Sequence, residues 1–193
     1  MCLTGHENAC MERQAIGYEF DGGFEEYLRI PKVCIESQNV IKLPESIPFE
    51  EGSLIEPLAC CLHGQKNAGV RMDDVVLIEG AGPIGLIHLL LAKIAGARKV
   101  IVSEPNEYRR TKAKELGAEV VLDPMKEKLE DVVKRETDGL GADVVILCIG
   151  VPAIVNQAFQ LCRRNGTVML FAGFPEKSTS DIVPNLIHYS EIH

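Results

Sequence analysis

The chain has 193 residues with 20 Lys and Arg against 28 Asp and Glu, a formal net charge of −8, and a hydrophobic fraction of 46%. That is an ordinary globular composition, with room for one full domain and part of another. The acidic balance without a basic run argues against nucleic acid or an anionic membrane as a partner, and the longest apolar stretch, Gly80 to Ala92, contains His88 and falls short of the ~20 residues of a membrane span.

Residues 1–47 hold Gly22-Gly23, Pro31 and Pro44, with β-like runs at Phe24 to Ile30 and Val40 to Leu43. They read as loops and edge strands without a core of their own. From Pro48 to about Asn67 the pattern turns helical: Glu50 and Glu51 fall in the first turn, and Leu54, Leu58 and Leu62 recur at intervals of four. Beyond Gly69, β-rich runs alternate with amphipathic stretches, as in a parallel sheet with crossover helices. The expected strands are Val75 to Glu79, Val100 to Glu104, Glu119 to Leu122, Asp143 to Cys148 and Gly166 to Ala172. The expected helices are Pro83 to Ala95, Asn106 to Leu116, Lys126 to Thr137 and Pro152 to Arg163. Together they predict an α/β Rossmann fold, a doubly wound parallel sheet, over residues 48–193. Another strand is expected after Ile192.

The first of these strands runs directly into Gly80-Ala81-Gly82-Pro83-Ile84-Gly85 and then into a helix. In that context Gly80 permits the tight turn, Gly82 lets a pyrophosphate approach the backbone, and Gly85 brings helix and strand together. The positive end of the helix faces the phosphates. Glu104 closes the second strand, 19 residues after Gly85, where a carboxylate can accept from the adenosine ribose hydroxyls and would repel a 2′-phosphate. Arg109 and Arg110 stand nearby. Gly80, Gly82, Pro83, Ile84, Gly85 and Glu104 are thus candidate NAD-binding residues.

These segments, with Gly22-Gly23-Phe24-Glu25-Glu26-Tyr27, Glu56-Pro57-Leu58-Ala59, Leu116-Gly117-Ala118, Gly141-Ala142-Asp143-Val144-Val145 and Ile187-His188-Tyr189-Ser190-Glu191-Ile192, resemble the zinc-containing medium-chain alcohol and polyol dehydrogenases, in the branch of sorbitol and threonine dehydrogenases. The resemblance implies that residues 1–47 are a remnant of the GroES-like β catalytic domain and that the chain is shortened at both ends. It implies NAD and zinc as cofactors and an alcohol or polyol as substrate. It also implies a homodimer or larger assembly through sheet edges.

Carried over residue by residue, the resemblance makes Arg109 a contact of the adenosine ribose and Ala172, Gly173 and Phe174 the lining of the nicotinamide side. Glu56 matches the glutamate beside the catalytic zinc, as ligand or through bound water, and is the candidate catalytic and metal residue. Cys2 and Cys10, eight positions apart, match the end of the structural-zinc lobe. Gly5-His6-Glu7 looks like the family's zinc-binding Gly-His-Glu but lies on the wrong side of Gly22-Gly23, so it is read as a coincidence. His6 and Cys34 could complete an improvised site with Cys2 and Cys10, or these thiols are simply free.

Seven cysteines, scattered irregularly, do not make a disulfide scaffold, and the first 20 residues lack a basic then apolar leader pattern, so the expected location is cytoplasmic. Cys60 and Cys61 are expected as buried small apolar residues, and His63 and His88 as satisfied core histidines. Cys148-Ile149-Gly150 ends a strand where open α/β sheets bind ligands. The leading expectation is part of an NAD-dependent zinc alcohol or polyol dehydrogenase, inactive as this chain alone because the catalytic-zinc cysteine and histidine are missing from it. The alternative is a non-catalytic NAD-binding module.

Overall fold

A computed structural model describes residues 7–193. The chain forms two compact units, 1–52 and 53–193. In the first, the described residues form a 3-10 turn at Glu7–Ala9 and two short helices, α1 (Lys32–Glu36) and α2 (Phe49–Gly52). The β-like runs expected at Phe24 to Ile30 and Val40 to Leu43 form no strand; the unit's β structure among the described residues is one isolated bridge between Ile16 and Phe20. β-propensity needs a neighbouring strand to pair with, and none is offered to these runs.

The second unit begins with α3 (Ile55–Ala68). The helix expected from Pro48 to Asn67 is therefore two helices, interrupted at Ser53 and Leu54 after Gly52, a residue that weakens a helix interior. Five parallel strands follow: β1 (Val75–Glu79), β2 (Lys99–Ser103), β3 (Val120–Leu122), β4 (Ala142–Leu147) and β5 (Cys162–Leu170), in spatial order β3-β2-β1-β4-β5. The order reverses direction beside β1, and an open sheet of this kind forms its ligand crevice at such a switch point. The connections are α4 (Pro83–Ile94), α5 (Glu107–Glu115), α6 (Leu129–Glu136) and α7 (Val155–Leu161), and α8 (Pro184–Ser190) closes the described chain.

β1 is buried on both faces. Val75 and Leu77 join Leu129, Val132 and Val133 of α6 in one apolar layer, while Val76 and Ile78 join Leu89 and Ala92 of α4 in the other. This near-continuous Val, Ile and Leu run is what a two-sided parallel strand requires. α6 starts at Leu129 rather than Lys126, because Asp123 first organises a turn: its carbonyl accepts from the N–H groups of Lys126 and Glu127, and its Oδ1 from Met125. β5 begins four residues before the expected Gly166 and carries a bulge at Asn165 (φ +56°) and Gly166, where its register with β4 shifts. Beyond Ile192, the His193 amide donates to the Gly166 carbonyl and its carbonyl accepts from Val168 at 2.9 Å, so backbone pairing on this edge resumes there.

His88 of α4 is fully buried, as expected, but only partly satisfied: its Nε2 has no hydrogen-bond partner among the described residues. Gln65 donates through Nε2 to His88 Nδ1 at 3.2 Å and to the His88 carbonyl at 2.7 Å, and Phe171 meets the ring edge-on at 4.5 Å. Burial lowers its pKa from 6.5 to about 4. The unfolded chain then takes up a proton that the folded state refuses, so the contribution present above pH 6.5 is lost as pH falls toward 4. We expect this group to cost up to ~3 kcal/mol over that window, and urea unfolding of His88→Leu to decline less steeply with acid than the parent. His63, by contrast, is an exposed residue bonded to Asn67 across one helical turn.

Candidate functional site

The glycine turn leaves β1 at Gly80, whose φ of +100° favours glycine. The Gly80 amide donates to the Ser103 carbonyl at 2.8 Å, stitching the turn to β2. A Cβ on Gly80 would lie 2.7 Å from Ile149 Cγ2, and one on Gly85 would collide with the Gly80 carbonyl oxygen. Gly82 is different: it caps α4 without a side-chain cap, Pro83 follows at the first helical position, and a Cβ there would meet nothing within 4 Å. Open space over a glycine at an uncapped helix start is a cradle that only a missing side chain leaves free.

Glu104 is buried against this turn. Its Oε2 accepts from the Ala81 N–H and its Oε1 from the Asn106 N–H, each at 2.8 Å. The carboxylate therefore ties the glycine turn to the start of α5, and it retains further lone pairs for a ligand hydroxyl. Arg109 stays half exposed, with Nη1 3.9 Å from Glu104 Oε2. Arg110 was not singled out for this role: it donates to the carbonyls of Glu104 at 2.8 Å and Pro105 at 2.6 Å and pairs with Asp123, fixing the loop that carries Glu104. Two adjacent arginines look alike in a sequence, and only the roughly 100° between their directions on the helix separates them.

The strand-end loops meet on the same side. Ala172 donates to the Leu147 carbonyl at 3.0 Å, and a Cβ on Gly150 would collide with the Gly173 carbonyl. Gly173 itself is exposed, with Ala172 and Phe174 half-buried. The structure thus brings the glycine turn, Glu104 and the loops after β4 and β5 to the C-terminal ends of the strands.

Beside them lies a cavity of about 460 Å³, lined among others by Ser103, Pro105, Met125, Leu129, Ile149 and Glu79. Glu79 had no role in the sequence reading. It is 4% exposed, its Oε1 has no hydrogen-bond partner among the described residues, and burial, with Glu130 adding, raises its pKa from 4.5 to about 7. The signal was present in the sequence as one acid ending the otherwise apolar run Val75-Val76-Leu77-Ile78.

Among the described residues the metal candidates do not assemble. Glu56 lies exposed in the first turn of α3, and Cys60 donates its thiol to Glu56 Oε1 at 3.1 Å. Cys60 is thus exposed, correcting its expected burial, while Cys61 is fully buried. Two neighbours on a helix point about 100° apart, so both could not face one core. Cys2 and His6 lie outside the described residues. Cys10 and Cys34 are free thiols, and among the described residues no three His, Cys, Asp or Glu side chains are grouped to hold a metal ion. Among the described residues the donor set for zinc is incomplete. Among the described residues no helix is long and apolar enough to cross a membrane.

Residues 83–193 match the family described as zinc-binding dehydrogenase. An L-threonine 3-dehydrogenase of Pyrococcus furiosus is 39% identical over 191 residues, covering 99% of this chain and 53% of that protein. A structure described as a zinc-binding dehydrogenase of Sinorhizobium meliloti 1021 bound to NADP superposes with a TM-score of 0.86 at 36% identity, covering 99% of this chain and 55% of that one. An alcohol dehydrogenase structure from Escherichia coli CFT073, complexed with NADH, gives 0.89 at 28% identity over 99% and 54%. The chain spans about half the length of the curated relatives it matches.

Proposed function

We propose that this chain, which belongs to the zinc-binding dehydrogenases, supplies the dinucleotide site for hydride transfer between a secondary alcohol or polyol and NAD. The observation that carries the reading is the geometry of Gly80 to Gly85 with Glu104: an open cradle over Gly82 at the bare start of α4, held in place by a buried carboxylate on the neighbouring strand. When bound, the nicotinamide supplies the hydride acceptor. The chain's own residues bind and orient: Gly82 admits the pyrophosphate to the N-terminus of α4, and Glu104 and Arg109 face the adenosine ribose. Gly173 leaves room on the nicotinamide side, with Ala172 and Phe174 flanking it.

NAD over NADP follows from Glu104, whose charge opposes a 2′-phosphate, although Arg109 lies close enough to soften the discrimination. The NADP- and NADH-bound relatives leave both cofactors to be tested on this chain. By calorimetry we expect NAD to bind and NADP to bind at least tenfold more weakly, about 1.4 kcal/mol. Equal affinities would overturn the NAD assignment, and no binding of either would overturn the cofactor reading.

The pairing of Glu56 with Cys60, and the lack of a metal donor group among the described residues, lead us to expect no alcohol or polyol turnover by this chain with added zinc. Glu56 remains the proposed catalytic-side residue, and Cys2 and Cys10 the proposed remnant of a structural-zinc lobe, within a larger parent enzyme. Family analogy alone supports the proposed dimer, and the proposed cytoplasmic location rests on the sequence pattern of the first 20 residues.

A further inference from the structure

Glu79 is the last residue of the central strand, flanked in register by Ser103 of β2 and Leu147 of β4. Its backbone carbonyl is used, accepting from Cys148 at 2.9 Å, but Oε1 is enclosed and unpartnered among the described residues. A buried polar atom without a partner costs stability, so its presence calls for an explanation such as an absent ligand. Glu79 lines the 460 Å³ cavity together with Pro105 and Ile149, which offer apolar surfaces, and with Gln157. The cavity opens next to the loop that follows Glu104. This inference rests on the dinucleotide reading above: the cavity is lined by Ser103 and Pro105, the residues on either side of the Glu104 at which that reading places the adenosine ribose.

We propose that Glu79 is a recognition residue for the adenine ring, presenting a neutral carboxyl that donates its proton to a ring nitrogen and accepts from the exocyclic amine. The side-by-side donor and acceptor of a carboxylic acid match the amine and ring nitrogen along an adenine edge. An ionised carboxylate offers two acceptors and matches only the amine. The raised pKa keeps a large fraction of Glu79 in the matching form near pH 7. The charged groups bordering the cavity are Lys126, Glu127 and Lys128 in the β3–α6 loop and Glu130 in the first turn of α6; Glu130 is held by Gln157 at 2.8 Å, and its own pKa is lowered. On the β4 side, Cys148 stays protonated because burial raises its thiol pKa. Glu79, raised by its burial to about 7, is the group whose proton the binding profile follows.

The test is calorimetric titration of the 193-residue chain with ADP-ribose, which keeps the adenosine half and lacks the nicotinamide, from pH 6 to 8. The parent is expected to lose about five- to tenfold in affinity across that range, as the complex holds a proton that the free protein releases. Glu79→Gln, whose amide keeps a donor beside an acceptor, is expected to stay within about twofold of the parent's pH 6 affinity and to be flat with pH. Glu79→Leu is expected to bind about tenfold more weakly, also without a pH slope. Both variants remove a buried carboxyl, so their folding is checked independently by urea unfolding. A flat parent profile, an equally steep Gln profile, or unchanged affinity in the Leu variant would each overturn the role of Glu79. Failure of the parent to bind ADP-ribose or NAD at all would overturn the dinucleotide reading itself and this role with it.

Discussion

Replacing Gly85 with alanine is expected to lower stability by roughly 3 kcal/mol and to abolish NAD binding. The added methyl would be driven into the Gly80 carbonyl, a backbone atom that cannot swing aside as a flexible side chain would. Relief requires α4 to back away from β1, opening the layer in which Ile78, Leu89 and Ala92 pack, and overpacking of this kind costs typically ~1–3 kcal/mol or more. The same shift displaces the start of α4 from any phosphate. Gly82→Ala is the matched control, because its methyl enters open space. It should leave the urea midpoint nearly unchanged while weakening NAD at least tenfold, about 1.4 kcal/mol. If Gly82→Ala binds NAD as tightly as the parent, the pyrophosphate does not lie there.

Truncating Glu104 to alanine should be nearly as damaging, by a different route. Two backbone N–H groups, those of Ala81 and Asn106, lose a charged acceptor in a buried setting. Bonds to charged groups contribute about 1.5–3 kcal/mol each, and water can refill part of the gap, so a loss of roughly 2–4 kcal/mol is expected by urea unfolding. Asn106 caps α5 by accepting from the Arg109 N–H, so Arg109 loses its placement along with the turn. We expect NAD affinity to fall more than tenfold, the equivalent of about 1.4 kcal/mol, with whatever discrimination against NADP exists shrinking toward none. Stability unchanged within ~0.5 kcal/mol would show that these two bonds are not maintained in solution.

The sheet was legible because its strands are written as runs of Val, Ile and Leu broken by Gly and by polar helices, and β1 matches its expected bounds at both ends. Errors fell where local signals conflicted with partners distant in sequence. Lys126 continues a helical pattern, yet the Asp123 carbonyl captures its amide and that of Glu127 in a turn. Val40-Ile41 has β-propensity but no strand to pair with. In the site, glycine spacing disclosed the cradle because steric freedom is a property of residue type. The tie from Glu104 to Ala81, which comes in addition to its proposed place beside the ribose, depends on a contact 23 positions apart that spacing does not specify. Glu79 escaped for the same reason: a charge at a strand end is ordinarily solvated, and enclosure by α6 and Ile149 is what makes this one unusual.

The backbone contact between Gly150 and Gly173 has a mechanical consequence. Ile149, next in the chain to Gly150, lines the cavity and occupies the space a Cβ on Gly80 would need, while Gly150 packs against the backbone of Gly173. Residues 149 and 150 therefore connect the cavity wall to the loop after β5 through adjacent contacts. A ligand that orders the loop after β5 would thereby also restrain Ile149 in the cavity wall. The two halves of a ligand as long as a dinucleotide would thus share one entropic penalty rather than incur two.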